Sequence, residues 1–456
     1  MDSAPAGRAI SASPSPRPTT ACRRLWIESP RSASENGPLQ ARERAFLVGI
    51  DGLASLGDWP AESSIDELAR LVDTAGATVA GRRCVRIREP NPATLIGQGQ
   101  LRESIDASRA AGANVLVIDA ELLPRQQRNI ERAFEGKVLD RTGVILDIFA
   151  ARAQTAEGRL QVERAQLEYL LPRLSELWVE FSRQRGGIGP FRGPGETQIE
   201  TDRRLYRDHI RDIDARLKRV REQRGSRRRR RRDAGLEVAA LVGYTNAGKS
   251  SLLNALTHAS VLTENRLFAT LDPTTRRLDL PQGGELLLTD TVGFIQRLPP
   301  RLVDAFRATL EEVLEAEFLV HVVDAAAPDM PRQVREVERT LSEIGVRARP
   351  VITALNKSDL APDVDAADFP NAVRVSALTG QGLDELRDRL GEAARASSVN
   401  VTVRIPYAES ELVSLFHRRG AVLREAHEPD GTRIEGTLPA ALAGRYDRYR
   451  VEAERP

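Results

Sequence analysis

Apolar and polar positions fall in alternating blocks over residues 45–155. The run AFLVGI (45–50) predicts a buried strand, and a helix follows from about Ser64 to Thr74. ANVLVID (113–119) repeats the pattern ahead of a helix that opens near Pro124. Strands that alternate with helices predict a small α/β domain with parallel strands. Within it the turn TLIGQGQ sets Gly97 and Gly99 two apart, a spacing that a tight turn explains at least as well as a ligand loop does.

The period then changes. Leu167, Leu170, Leu174, Leu177 and Phe181 are spaced 3, 4, 3, 4, and so are Tyr206, Ile210, Ile213, Leu217 and Val220. Two such stripes predict two amphipathic helices packed antiparallel, a hairpin over 156–224, with Pro172 kinking or restarting the first. Between them lies RGGIGPFRGPGETQIETDRR (185–204), far longer than a hairpin needs to close. Its cations Arg185, Arg192, Arg203 and Arg204, its glycine-rich backbone and Phe191 suit a nucleic-acid surface. A flexible tip with no partner is the other reading.

Six consecutive arginines, Arg227 to Arg232, follow in RGSRRRRRRDAG. Such a run repels itself, so residues 225–235 are expected as an extended, solvated linker, or as a clamp on a polyanion. Strand and helix blocks alternate again over 236–398. From VNVTVRIPY onward, period-2 strands, a helix from about Glu409 to Arg419 and a PDG turn at 429–431 predict a small α+β domain over 399–456.

Composition narrows the class. A chain of 456 residues suggests two to four domains, and no apolar run approaches the roughly 18 residues of a membrane span. Residues 1–44, rich in Arg, Pro and Ser, read as a disordered tail, with an organelle transit peptide as the alternative. Two cysteines, Cys22 and Cys84, make no disulfide framework, which fits a reducing cytoplasm. A monomer is expected.

The chemistry begins at GYTNAGKS. Gly243, Tyr244, Thr245, Asn246, Ala247, Gly248, Lys249 and Ser250 form a GxxxxGK[ST] loop between an apolar strand, LEVAALVG, and a helix. Backbone amides at a helix start face phosphates, Lys249 places charge on the β/γ oxygens, and the Ser250 hydroxyl suits Mg²⁺. Downstream, Asp290, Thr291, Val292 and Gly293 form a DxxG at another strand end: Asp290 suits Mg²⁺ through water, and the Gly293 amide suits a γ-phosphate. Thr270, in RLFATLDPTTRR, is the best candidate for a second Mg²⁺ hydroxyl, with Thr274 and Thr275 as alternatives. Asn356, Lys357, Ser358 and Asp359 spell NKxD, whose carboxylate accepts from guanine N1–H and the 2-amino group, a donor pair adenine lacks. Ser376, Ala377 and Leu378 resemble the turn beneath a guanine base. Four elements in order at strand ends make this a guanine-nucleotide domain, with Lys249, Thr270 and Gly293 as its catalytic candidates. Phe294 stands where Ras-like GTPases place a water-orienting glutamine, so intrinsic hydrolysis is expected to be slow. Asn246 is placed where some glutamine-less GTPases hold K⁺.

The pattern resembles the HflX family of ribosome-associated GTPases. The likeness covers roughly residues 45–450 and rests on GGIGPFRGPGETQIETDRR, DRTGVILDIFAARAQTAEGRLQVERAQLEYLLPRL, GYTNAGKS, FATLD, DTVGF and NKSD. FATLD adds Phe268, Ala269, Leu271 and Asp272 to the nucleotide-contacting set. The resemblance implies an α/β protein: a P-loop GTPase domain, an N-terminal α/β domain carrying a helical hairpin, and a small C-terminal domain. It further implies GTP hydrolysis with Mg²⁺, binding of the large ribosomal subunit and its rRNA through the hairpin tip, and splitting of stalled or idle ribosomes. The rivals are a GTPase of ribosome assembly or RNA modification, and an RNA-binding protein that keeps GTP as a structural ligand.

Overall fold

The computed structural model describes residues 43–52, 59–184, 194–233, 236–257, 266–281, 284–297, 299, 307–346, 349–364, 369, 371–396 and 398–451. The tail expected over 1–44 thus lies almost wholly outside the described residues. The N-terminal unit opens with strand β1 (Arg44–Asp51) and helix α1 (Ala61–Thr74), then β2 (Thr78–Arg86), α2 (Gln98–Ala110) and β3 (Val115–Ile118). It continues through α3 (Pro124–Phe134), β4 (Lys137–Asp140) and α4 (Arg141–Arg152). Its strands pair in parallel in the order β2-β1-β3-β4, as the alternating blocks predict. Gly97 is the residue before α2 and Gly99 lies in its first turn, so the two glycines mark a helix start and not a tight turn.

Two long helices follow, α5 (Ala156–Gln184) and α6 (Pro194–Asp233). Polar contacts Glu157–Arg224 (2.8 Å), Arg164–Asp214 (2.7 Å) and Glu163–His209 (2.9 Å) run in opposite chain directions, so the helices form an antiparallel arm. Leu160, Ile213 and Leu217 are buried between them, with Leu167 packed alongside. The side chains of Leu177 and Phe181, and the whole of residues 185–193, lie outside what is described.

Two further expectations need correction. Pro172 does not restart the first helix, because α5 is continuous across it. One backbone N–H is lost there, and the packing of Tyr169, Leu170 and Leu174 on either side holds the register. The arginine run is not an extended linker either. Helix α6 starts within the presumed connector, at Pro194, and continues through all six arginines to Asp233. Arginine is among the better helix formers, and that propensity outweighs screened repulsion between neighbours.

The central unit holds β5 (Glu237–Val242), α7 (Lys249–Thr257), β6 (Thr274–Asp279), β7 (Glu285–Asp290), α8 (Arg307–Glu315), β8 (Phe318–Asp324), α9 (Met330–Glu343), β9 (Val351–Asn356), β10 (Ala372–Arg374) and α10 (Leu383–Ala396). Its sheet order is β10-β9-β8-β5-β7-β6, parallel except for the edge strand β6. The last unit pairs β11 (Ser398–Ile405), β12 (Ala421–Glu428) and β13 (Gly431–Pro439) antiparallel about β13, under helix α11 (Ser410–Arg419). Arg419 ties it to Glu285 on β7.

The largest apolar cluster does not respect unit boundaries. Phe149 of α4 meets Phe268 edge-on at 4.7 Å between centroids, and Trp59 stacks on Tyr244 of the phosphate loop at 6.2 Å. The N-terminal unit is therefore built onto the face of the central unit that carries the loops of interest. Among the described residues, no helix is long and apolar enough to cross a membrane.

Candidate nucleotide site

Strand β5 ends at Val242 and delivers Gly243–Gly248 into the start of α7, so the loop's amides gather at a helix N-terminus. Gly248 sits at φ +93°, and a Cβ there would overlap Asn356 Nδ2. Only glycine meets both demands. Asn356, at the end of β9, donates through Nδ2 to the Ala247 carbonyl (2.8 Å), while its Oδ1 accepts from the Ala377 amide (3.0 Å). One buried side chain thereby joins the phosphate loop to the Ser376–Leu378 turn. Lys357 donates to the Asn246 carbonyl (3.0 Å) and pairs with Asp324 (2.6 Å). Asp359 is exposed beyond them, and Leu378 is 88% exposed.

At the other end of the loop, three oxygens converge. Ser250 Oγ lies 2.7 Å from Thr270 Oγ1 and donates to Asp290 Oδ2 at 2.6 Å, and Thr270 Oγ1 donates to the same oxygen at 2.9 Å. Of the three candidate threonines the structure brings Thr270 to this cluster: Thr275 is bonded to Thr289 across the β6–β7 ladder (2.9 Å), and Thr274 is the first residue of β6. Asp290 Oδ1 is buried with no hydrogen-bond partner. Burial pushes the Asp290 carboxyl up despite Lys249 and the two hydroxyls, and it pushes the Lys249 ammonium down to about 8 although Asp290 opposes this. A polyphosphate beside Lys249 and a divalent cation beside Asp290 would offset both burials, so the donor set fits Mg²⁺. Lys249 Nζ donates to the carbonyls of Gly243 (3.2 Å) and Tyr244 (2.8 Å), and a Cβ on Gly293 would come within 3.0 Å of that nitrogen and 2.7 Å of Thr245 Cα. Gly293 is thus pressed against the phosphate loop.

Several predicted residues turn their side chains elsewhere. Tyr244 is buried, bonded through its hydroxyl to Glu67 and accepting from the Gln296 amide (2.8 Å). Thr291 donates to the Leu241 carbonyl (2.6 Å), and Val292 is in the shared apolar core. Phe268 and Leu271 are buried in that core too. The Asp272 carboxylate accepts from the amides of Gln154 and Thr155, both at 2.8 Å, at the foot of the arm. These residues can offer the nucleotide only backbone. The Phe294 ring, 2% exposed, belongs to the same core, while its backbone bridges Gly243 and Thr245 (3.0 and 2.7 Å).

Behind the loop lies a buried polar cluster that no motif marks. Arg141 donates to Asp119 (2.9 Å), to Glu67 and to the Gln296 carbonyl (3.4 Å), and Arg297 pairs with Asp119 (3.2 Å). Burial alone would lower the Arg141 guanidinium, but Glu67 and Asp119 raise it above its ordinary value. Arg141 stands in the stretch DRTGVILDIFA, which carries the family likeness without announcing this role.

Comparison with known proteins agrees with this geometry. Residues 62–150 match the family model of the GTP-binding GTPase N-terminal region, 152–231 that of the GTP-binding GTPase middle region, and 238–357 that of the 50S ribosome-binding GTPase. The chain is 45% identical over 411 residues to GTPase HflX of Lacrimispora saccharolytica, which spans 88% of this chain and 95% of that protein. It is 45% identical over 378 residues to GTPase HflX of Escherichia coli, spanning 81% and 88%. Among solved structures, a GTP-binding protein from Sulfolobus solfataricus in complex with GDP aligns at 25% identity with a TM-score of 0.42, covering 77% of this chain and 98% of that one. With a complete GTPase domain and two relatives of this identity over most of its length, the chain is a GTPase that belongs to the HflX family.

Proposed function

We propose that this GTPase binds the large ribosomal subunit in its GTP form, through the arm, and separates stalled or idle ribosomes. What carries the reading is the placement of the arm. A helical hairpin rooted against Asp272 and helix α8 of the GTPase unit carries a glycine-rich, cationic connector sequence and six consecutive arginines, a composition suited to rRNA phosphates. Residues 238–357 match a family described as a 50S ribosome-binding GTPase, which supports the partner.

In this reading Lys249 releases the Gly243 and Tyr244 carbonyls to meet the β/γ oxygens. Ser250 and Thr270 would hold Mg²⁺, with Asp290 as its more distant carboxylate, and the bound ion would supply positive charge against the phosphates. The Gly293 amide reports the γ-phosphate, and Asp359 reads guanine above the Ser376–Leu378 turn. Sedimentation of mature ribosomes with this protein and a non-hydrolysable GTP analogue tests the proposal. Separated subunits, with the protein on the larger, are expected; ribosomes that stay joined while the protein binds immature particles would make it an assembly factor instead.

Asn246 supports a further part of the mechanism. It adopts φ +62°, held from below by Lys357 on its carbonyl, inside the turn that faces the phosphates. A K⁺ ion on its side chain would supply the positive charge that other GTPases take from an arginine finger. Hydrolysis is then faster in KCl than in NaCl at equal ionic strength, and the difference vanishes in Asn246→Ala; equal rates in the wild type remove potassium from the mechanism.

A further inference from the structure

The segment between α7 and β6 grips three different parts of the molecule with alternate residues. Phe268, at φ +54° and 2% exposed, inserts against Phe149 of α4. Thr270 turns to Ser250 and Asp290. Asp272 reaches the first turn of arm helix α5, where its Oδ2 accepts from the Gln154 and Thr155 amides (2.8 Å each) and its Oδ1 from the Thr155 hydroxyl. Thr155 in turn caps α5 from within, accepting from the Gly158 amide at 2.9 Å. The helix start is therefore capped twice, once by its own threonine and once by a carboxylate 117 residues downstream.

The arm has made room for this contact. A Cβ on Gly158 would overlap Asp272 Oδ1 and stand 3.1 Å from Thr155 Oγ1, although an alanine would otherwise suit a helix better than glycine. On the opposite side of the arm's base, Arg221 and Arg224 of α6 face Glu311 and Glu312 of α8, each at 3.9 Å. Helix α8 follows the DxxG segment in the chain, so the arm's base lies between the continuations of both nucleotide-sensing segments.

We propose that Asp272 is a latch between the nucleotide and the arm: it caps α5 only while Thr270, two residues away, is held at the Ser250–Asp290 cluster. The inference rests on the reading of Thr270 as the hydroxyl that answers Mg²⁺ and the γ-phosphate. Loops of this kind are ordered by the γ-phosphate and released on its loss. Two residues of chain reach at most about 7 Å, so a large withdrawal of Thr270 pulls Asp272 with it. When Thr270 withdraws, α5 loses its second cap and the arm is freed to swing about its base. Asp272 is a positioning residue, acting on the arm through Thr155 and on the metal site through Thr270.

The test measures the arm directly, without ribosomes. Spin labels at Arg211→Cys on α6 and Asp384→Cys on α10, both exposed, are placed in the full chain carrying Cys22→Ser and Cys84→Ser. Distances are then compared with Mg²⁺·GDP and with Mg²⁺ and a non-hydrolysable GTP analogue. In the parent the distribution is expected to be narrow with the analogue and broader or displaced with GDP. Gly158→Ala, which leaves every nucleotide-site residue in place and favours the helix, should give the GDP-like distribution with both ligands at saturating concentration and, by reciprocity, narrow the difference in affinity between the analogue and GDP. Asp272→Ala should do the same, and Asp272→Glu should restore part of the response. Equal nucleotide responses in the parent and Gly158→Ala, or no response in the parent, overturn the latch. The readings separate cleanly: Thr270→Val leaving Mg²⁺-dependent GTP affinity intact overturns the assignment of Thr270 and the latch with it. A normal arm response with no binding to large subunits overturns the ribosomal reading alone.

Discussion

Asp359→Asn should lower GTP affinity by about 10²- to 10⁴-fold and shift the preference of the site toward xanthine nucleotides. Asp359 is exposed at the rim of the site, and the residues leading to it are firmly set. Asn356 is fixed by the Ala247 carbonyl and the Ala377 amide, Lys357 lies at φ +63° on Asp324, and the Ser358 amide donates to the Val375 carbonyl at 3.1 Å. A carboxylate held there accepts from both guanine N1–H and the 2-amino group, and hydrogen bonds to a charged group contribute about 1.5–3 kcal/mol each. The asparagine amide keeps one acceptor and turns the other into a donor, which opposes the 2-amino group of guanine but suits the 2-oxo group of xanthine. Titration calorimetry with GTP and XTP checks both signs. Full GTP affinity in the variant, with nothing gained for XTP, would remove Asp359 from base recognition.

How far the site could be read in advance depended on how local its determinants are. The phosphate loop, DxxG and NKxD each need specific residues within four to eight positions at a strand end, so the chain spells them out. The structure brings Lys249, Ser250, Thr270, Asp290 and Gly293 together as their spacing suggests. The choice of Thr270 over Thr274 and Thr275 rested on a motif alone; the β6–β7 ladder supplies the physical reason, because it engages the other two. What could not be read is non-local. Glu67, Asp119 and Arg141 look like surface charges in the sequence, yet they are buried against Tyr244 and Gln296 because the N-terminal unit packs on the phosphate loop. No periodicity marks a charge that is buried only by a second unit. FATLD is contiguous and reads as one nucleotide-contacting set, whereas in the fold the Phe268 and Leu271 side chains pack in the shared core and the Asp272 carboxylate reaches the arm. In the arginine run charge repulsion points to an extended chain, but helix propensity prevails and α6 continues to Asp233.

Large ribosomal subunits should raise GTP turnover about 10³- to 10⁵-fold, the range over which partners in trans stimulate incomplete GTPase sites. The reason lies immediately after Gly293. Phe294 places its ring in the apolar core shared with the N-terminal unit and fastens its backbone to Gly243 and Thr245, so this position offers attacking water no polar side chain. Residues for binding phosphate and Mg²⁺ are in place, whereas the group that orients water is not at its usual position. The free protein should accordingly hydrolyse GTP slowly and remain in its GTP form. Docking on the particle would complete the site by supplying the group that orients water. On this account GTP binding drives subunit separation, and hydrolysis serves release, since losing the γ-phosphate frees the Phe268–Asp272 segment and the residues after Gly293. A non-hydrolysable analogue should support one round of separation and leave the protein on the large subunit. Single-turnover hydrolysis with and without purified large subunits, run beside light-scattering measurements of separation, checks both halves. Rates unchanged by large subunits, or separation that needs hydrolysis in every round, would mean that the energy of GTP is spent before release, and the order of events proposed here would have to be reversed.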